Sequence, residues 1–130
     1  MNKSSNKPCP CGGQNYETCC ARYIEGEALA QTAEQLMRSR YSAYTLGKDA
    51  YLQQTWHAST RPQGELANAT TKWLGLEVRR HQQDGDAAIV EFIARYKVGG
   101  RAHRLHEVSR FVREEGNWYY VDGTIPERQQ

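Results

Sequence analysis

The sequence predicts an α+β fold. A helical first half precedes a curved four-stranded antiparallel sheet that packs on the longest helix and on short helices, with a small cysteine-rich knuckle in front. Three observations predict this. Apolar residues recur at spacings of three and four up to about residue 56, and from Lys72 onward the period becomes two. The alternating half is punctuated by Asp84-Gly85, Gly99-Gly100 and Glu115-Gly116, the residue types that tight hairpin turns require. All four cysteines fall between residues 9 and 20.

The knuckle reads Cys9-Pro10-Cys11-Gly12-Gly13, then Cys19-Cys20. Pro10 stiffens the first pair, and the two glycines let the chain turn back. The adjacent pair Cys19-Cys20 can reach one ion only if the backbone bends between them, as at the first turn of a helix. Thiolates at tetrahedral corners make the tightest shell for a structural zinc ion, so Cys9, Cys11, Cys19 and Cys20 are the expected ligands of one Zn²⁺. Two disulfides or four free thiols are the alternatives. The clustering argues against free thiols, and no secretion signal argues for an oxidising compartment. Cys9-Pro10-Cys11-Gly12 with Cys19-Cys20 resembles the SEC-C motif. That resemblance implies zinc binding, no catalytic role, and a docking surface for a protein partner.

Residues 1–8 are polar and aperiodic and are expected to form a disordered tail. The knuckle is assigned to residues 9–24 and the α+β domain to residues 25–130. Hydrophobic residues make up 38% of the chain and charged residues 25%, as in ordinary globular domains. The formal charge is +2, which four thiolates on one dication would cancel. No basic field remains to make nucleic acid a main partner, and no apolar run approaches a membrane span. The expected location is the cytoplasm.

Thr32 opens a helix, with Gln35 completing a weak capping box and Gly47 closing it. Its apolar stripe is Ala33, Leu36, Met37, Tyr41 and Tyr44, interrupted by Arg40. An arginine there must either snorkel to water or meet a buried carboxylate. A short helix over Lys48–Thr55 and a loop to Thr71 follow, with one helical turn expected around Glu65–Ala69. Four strands come next: Trp73–His81, Asp86–Lys97, Arg101–Arg113 and Trp118–Val121.

If every turn has two residues, the register follows. Phe92 then faces Glu107, Tyr96 faces His103, Ser109 faces Asp122, Phe111 faces Tyr120, Glu77 faces Phe92 and Trp73 faces Tyr96. One face would carry Trp73, Tyr96, Phe92, Phe111, Trp118 and Tyr120, with Glu77, Glu107, Ser109 and Asp122 among them. The other would carry Leu74, Leu76, Val78 and Ile93 with several charges. A single bulge would flip part of this assignment. The aromatic face is expected to be concave and covered by the helices.

Beyond the knuckle, the segments Leu36–Tyr44, Thr55-Trp56-His57, Trp73–Leu76, Phe92–Tyr96, Glu107–Phe111 and Trp118–Thr124 are similar to the YchJ-like family of bacterial proteins. The resemblance implies a nuclear transport factor 2-like, or cystatin-like, cone domain behind an SEC-C knuckle. Such cones often hold a pocket. Here its expected lining is Arg40, Tyr44, Trp56, Trp73, Phe92 and Tyr120.

Two functions of different class follow. One is an adaptor that docks a protein partner through the knuckle, with the cone holding a pocket or forming a homodimer through the sheet. The other is a small-molecule enzyme of isomerase, dehydratase or hydrolase type. Its candidates are His57 as base, Asp122 or Glu107 as the carboxylate, Arg40 as an electrostatic clamp and Tyr41 or Tyr44 as hydroxyl donors. Each has a plainer reading: His57 as a helix-end cap, Arg40 with a carboxylate as a structural ion pair, the tyrosines as core aromatics.

Overall fold

In the computed structural model, residues 7–68 and 70–126 are described. The longest helix, α2 (Ala33–Leu46), sits at the centre. Thr32 accepts a hydrogen bond from the Gln35 amide at 3.1 Å, while the Gln35 side chain reaches back to the Gln31 amide at 2.7 Å. Gly47, with φ 73°, ends the helix in the left-handed conformation that glycine adopts without strain. Before α2 lie a 3₁₀ turn (Tyr16–Thr18) and the short α1 (Ala21–Ile24). After it comes α3 (Asp49–Gln54).

The sheet runs in the order β1-β2-β3-β4, all antiparallel: β1 (Thr71–Asp84), β2 (Ala87–Val98), β3 (Arg101–Glu114) and β4 (Asn117–Thr124). The α+β class is therefore the one predicted. The segment after α3 seals the β4 edge: the His57 amide donates to the Tyr120 carbonyl at 2.7 Å, and the Tyr120 amide to the Thr55 carbonyl at 2.9 Å. Two bulges and exposed charges blunt the β1 edge instead.

The β2–β3 register is the expected one, with Phe92 opposite Glu107 and Tyr96 opposite His103. Two others differ. The first hairpin turns at Gly85-Asp86 rather than Asp84-Gly85, so Asp84 pairs with Ala87. The register shifts across Leu74 and across Arg79 each add a residue to β1, which restores the expected pairing of Trp73 with Tyr96. They also turn Leu76 and Val78 inward and send Glu77 outward, where it meets Arg79 at 3.6 Å and Arg95 at 4.0 Å. In β4 the extra residue is Val121, so Ser109 faces Gly123, and Asp122 pairs with Arg110 on the outer face. The expected inward placement of Glu77 and Asp122 is thus corrected. Side chains alternate with a period of two, so one added residue reverses every face beyond it.

The core lies between α2 and the inner face. Ala33, Leu36, Met37 and Tyr41 pack on Val90, Phe92, Phe111 and Trp118. No helical turn forms over 65–68, and Ala69 lies outside the described residues. Asp49 holds that loop instead, accepting from the Leu66 and Ala67 amides at 2.9 and 2.7 Å. Of the expected tail, residues 1–6 lie outside the described residues. Lys7 and Pro8 are exposed, and the Lys7 carbonyl accepts from the Tyr16 amide at 2.9 Å.

Candidate metal centre and cone cavity

Around the cysteines the chain folds back on itself. The Gly12 amide donates to the Cys9 carbonyl at 2.9 Å, and the Cys9 amide to the Gly13 carbonyl at 3.0 Å. Gly13 has no room for a side chain, because a Cβ there would lie 2.8 Å from the Cys19 sulfur. The 3₁₀ turn, capped by Asn15, then delivers Cys19, and Cys20 occupies the N-cap position of α1. The adjacent cysteines therefore straddle a bend at a helix start, which lets both reach one point.

The four sulfurs lie within 4.8 Å of one another, and Cys11 and Cys19 are 3.6 Å apart. Four thiolates around one ion at about 2.3 Å stand about 3.8 Å apart, so the cluster fits a tetrahedral metal. Cys9, Cys11 and Cys20 are buried. Neighbouring thiols, Cys20 first, lower the Cys11 thiol to about 5, whereas burial first and then Cys11 raise Cys19 to about 11. The opposite shifts follow from crowding thiols together, and a cation at the centre would favour the thiolate form of each.

The centre is docked on α2. The Arg38 guanidinium donates to the Cys11 carbonyl at 3.2 Å and to Glu34 at 2.9 Å, and the Ser42 hydroxyl lies 3.4 Å from the Cys9 sulfur. Sequence reasoning missed Ser42. Its signal was a small polar residue on the side of the helix away from the sheet.

The second feature is a cavity of about 270 Å³ between α2 and the sheet, lined in part by Met37, Arg40, Tyr44, Trp73, Phe92 and Glu107. Tyr41, Phe111 and Tyr120 also line it, with Ser109 beside Glu107. Trp56 is not in the lining, but its ring lies against Tyr120 with centroids 4.8 Å apart.

Arg40 is 5% exposed and meets no carboxylate among the described residues. Its Nη1 donates to the Leu52 carbonyl at 2.9 Å and the Thr55 hydroxyl at 2.7 Å. Its guanidinium lies 5.1 Å from the Trp56 ring centroid and 4.8 Å from that of Tyr120. Burial works against its charge, offset in part by the Tyr44 and Tyr120 hydroxyls. The sequence alternatives of snorkelling or a carboxylate partner are both replaced by a cage of carbonyl, hydroxyl and ring faces.

Glu107 accepts from the Ser109 hydroxyl at 2.7 Å and the Tyr120 hydroxyl at 3.2 Å through Oε2. Gly123 makes room for it, since a Cβ there would fall 2.6 Å from the Glu107 carboxyl carbon. Gly123→Ala is therefore expected to displace the carboxylate and cost about 1–3 kcal/mol, the value of a charged hydrogen bond. In a Glu107→Ala background the same change should cost far less, and a double-mutant cycle by denaturant unfolding reads the difference.

Of the other catalytic candidates, His57 and Asp122 lie elsewhere. His57 is outside the cavity lining, with Nε2 2.8 Å from Glu114 and Nδ1 2.8 Å from the Ser59 hydroxyl. Neither Glu107 nor Asp122 is its partner. Asp122 lies on the outer face, where Arg110 holds its carboxyl below the usual range. Tyr41 lines the cavity, and burial raises its hydroxyl.

Fold and site together define a class: a cone-shaped α+β domain carrying on its long helix a four-cysteine knuckle that could hold a metal. Residues 32–123 match the model of the YchJ middle NTF2-like domain, and the chain belongs to this family. It is 61% identical over 127 residues to a UPF0225 protein of Cupriavidus metallidurans, covering 92% of this chain and 90% of that one. A UPF0225 protein of Ralstonia nicotianae is 57% identical over 130 residues, covering 90% of each. Among solved structures, a SEC-C motif containing protein from Rhodopseudomonas palustris superposes with a TM-score of 0.85 at 33% identity, covering 93% of this chain and all of that one. A second, from Psychrobacter arcticus, gives 0.77 at 30% identity, covering 95% and 85%.

Proposed function

We propose that this protein is a zinc-bearing adaptor whose knuckle presents a docking surface to a protein partner. The observation that carries this reading is the convergence of four thiols, three of them buried, on a segment pinned to α2 by Arg38 and Ser42. A closed four-thiolate shell leaves no position for substrate, so the metal supplies structure rather than chemistry. Zinc suits such a soft tetrahedral set better than the hard cations do. Lys7, Glu17 and Arg22 stand exposed around the centre as its accessible charged surface.

The enzyme reading has less support. Its base, His57, is not in the cavity lining, and that lining contains no histidine.

Elemental analysis and thiol titration test the first half of the proposal. One zinc per chain with four protected thiols is expected; no metal and four reactive thiols would overturn it. Partner capture by the full chain tests the second half. Reversing the charge of Lys7 and Arg22 together should abolish capture while zinc content stays at one per chain. Capture that survives the reversal counts against the knuckle as the docking surface.

A further inference from the structure

Two opposite charges line the cone cavity without meeting. Arg40 and Glu107 form no ion pair with each other or with any other charged group among the described residues. A guanidinium has five N–H donors, and Nη1 accounts for two, on Leu52 and Thr55. Arg40 lines the cavity beside Tyr44, and Nη1 holds it to the frame. On Glu107, both hydroxyl donors converge on Oε2, and no described group donates to Oε1. Tyr120 touches both charges: its hydroxyl donates to Glu107 at 3.2 Å, and the Arg40 guanidinium lies 4.8 Å from its ring centroid. The remaining walls, Met37, Trp73, Phe92 and Leu105 among them, are apolar or aromatic.

A buried charge is tolerated when paired and hydrogen-bonded; Arg40 is buried and Glu107 half-buried, and the frame around them holds the two apart. Arg40 is fixed by its ring cage on α2, and Glu107 is fixed on β3 by Ser109, Tyr120 and the space above Gly123. A ligand carrying only a carboxylate would bring a second anion towards Glu107. One carrying only an amine would bring a second cation towards Arg40. A molecule with both ends answers both.

We propose that the cavity binds a small zwitterion of the amino-acid type, with its carboxylate on Arg40, its ammonium on Glu107 and a short apolar side chain against Trp73 and Phe92. At about 270 Å³ the space falls just below the roughly 300 Å³ at which ligand pockets usually begin, so the side chain is no larger than that of leucine or methionine. This site is separate from the metal centre, and neither reading depends on the other.

The test is calorimetric titration of the full-length, metal-loaded protein with the standard L-amino acids, isocaproate and isoamylamine. The last two keep the body of leucine and lack one charged end. A small apolar amino acid is expected to bind, and each one-ended analogue to bind at least about tenfold more weakly, because a built polar site is left unpaired. Glu107→Gln should remove the preference over isocaproate, and Arg40→Met the preference over isoamylamine. Glu107→Gln is nearly isosteric, so it keeps the test decisive should Arg40→Met not fold. Failure of every amino acid to bind overturns the proposal. So does isocaproate binding as tightly as leucine, or a folded Glu107→Gln that keeps the full preference.

Discussion

Cys20→Ser, or removal of the metal by a chelator, is expected to lower the stability of the domain by about 3–5 kcal/mol, which at this size is a fall in melting temperature of about 10–20 °C. Cys20 is 1% exposed and stands where the knuckle, α1 and the core cluster meet. With four ligands an ion would close the segment. With three, an open shell and a buried hydroxyl replace it. Ala21, next in the chain, is buried, and Arg38 and Ser42 on α2 would lose the groups they hold. The loss has a ceiling, because the sheet and the inner face of α2 form a core of their own around Val90, Phe92 and Phe111. Hydrogen exchange should show this division. The amides of Cys9, Tyr16, Tyr23 and Ile24 should lose protection on chelation, while those of β2 and β3 keep theirs. An unchanged melting temperature after chelation would count against a structural metal.

Arg40→Glu should be the most damaging single change in the cone, costing about 3–5 kcal/mol or more. Everything around this guanidinium is electron-rich: the Leu52 carbonyl, the Thr55 hydroxyl oxygen and the ring faces of Trp56 and Tyr120. A carboxylate there would face acceptors and ring quadrupoles of the wrong sign, with Glu107 in the same cavity. Arg40→Met keeps most of the volume and removes the charge. It forfeits two charged hydrogen bonds and two ring contacts, but it also removes the cost of burying a cation. The net is expected at no more than about 1–2 kcal/mol. Urea unfolding of both variants reads the contrast. Equal losses would mean that Arg40 acts through packing alone, and the electrostatic account of the cage would fail.

The outer face carries a plainer electrostatic pattern. Glu91 accepts from Arg80 at 3.1 Å and lies 2.7 Å from His106, and Arg110 forks onto Asp122 at 2.6 and 2.7 Å. Such pairs are worth little individually, and they share this face with Ile89, Ile93 and Val108.

Much of this was legible in the sequence. Periodicity changed from helical to alternating where the fold changes from α to β. The pairs Gly99-Gly100 and Glu115-Gly116 sit in two-residue turns, and Glu115 itself adopts a positive φ of 53°. Turn chemistry is local, so the register between β2 and β3 follows from it by counting. The cysteine cluster was equally local. Its four cysteines lie within twelve residues, and short-range chain geometry suffices to bring them together.

The sequence by itself thus determined the fold class, the order of elements, the central register and the cysteine cluster that could hold a metal, because each rests on neighbours along the chain. Only the tertiary structure decided which residues share the cavity. Asp122 left it and Leu76 and Val78 turned inward, because bulges in β4 and β1 each insert one residue and no local signal marks them. Arg40 found its partners on α3, the turn after it and β4, and His57 found Glu114 at the far end of β3. Those contacts span long sequence separations. They are set by how the helices settle on a twisted sheet, and periodicity along one strand or helix carries no record of that.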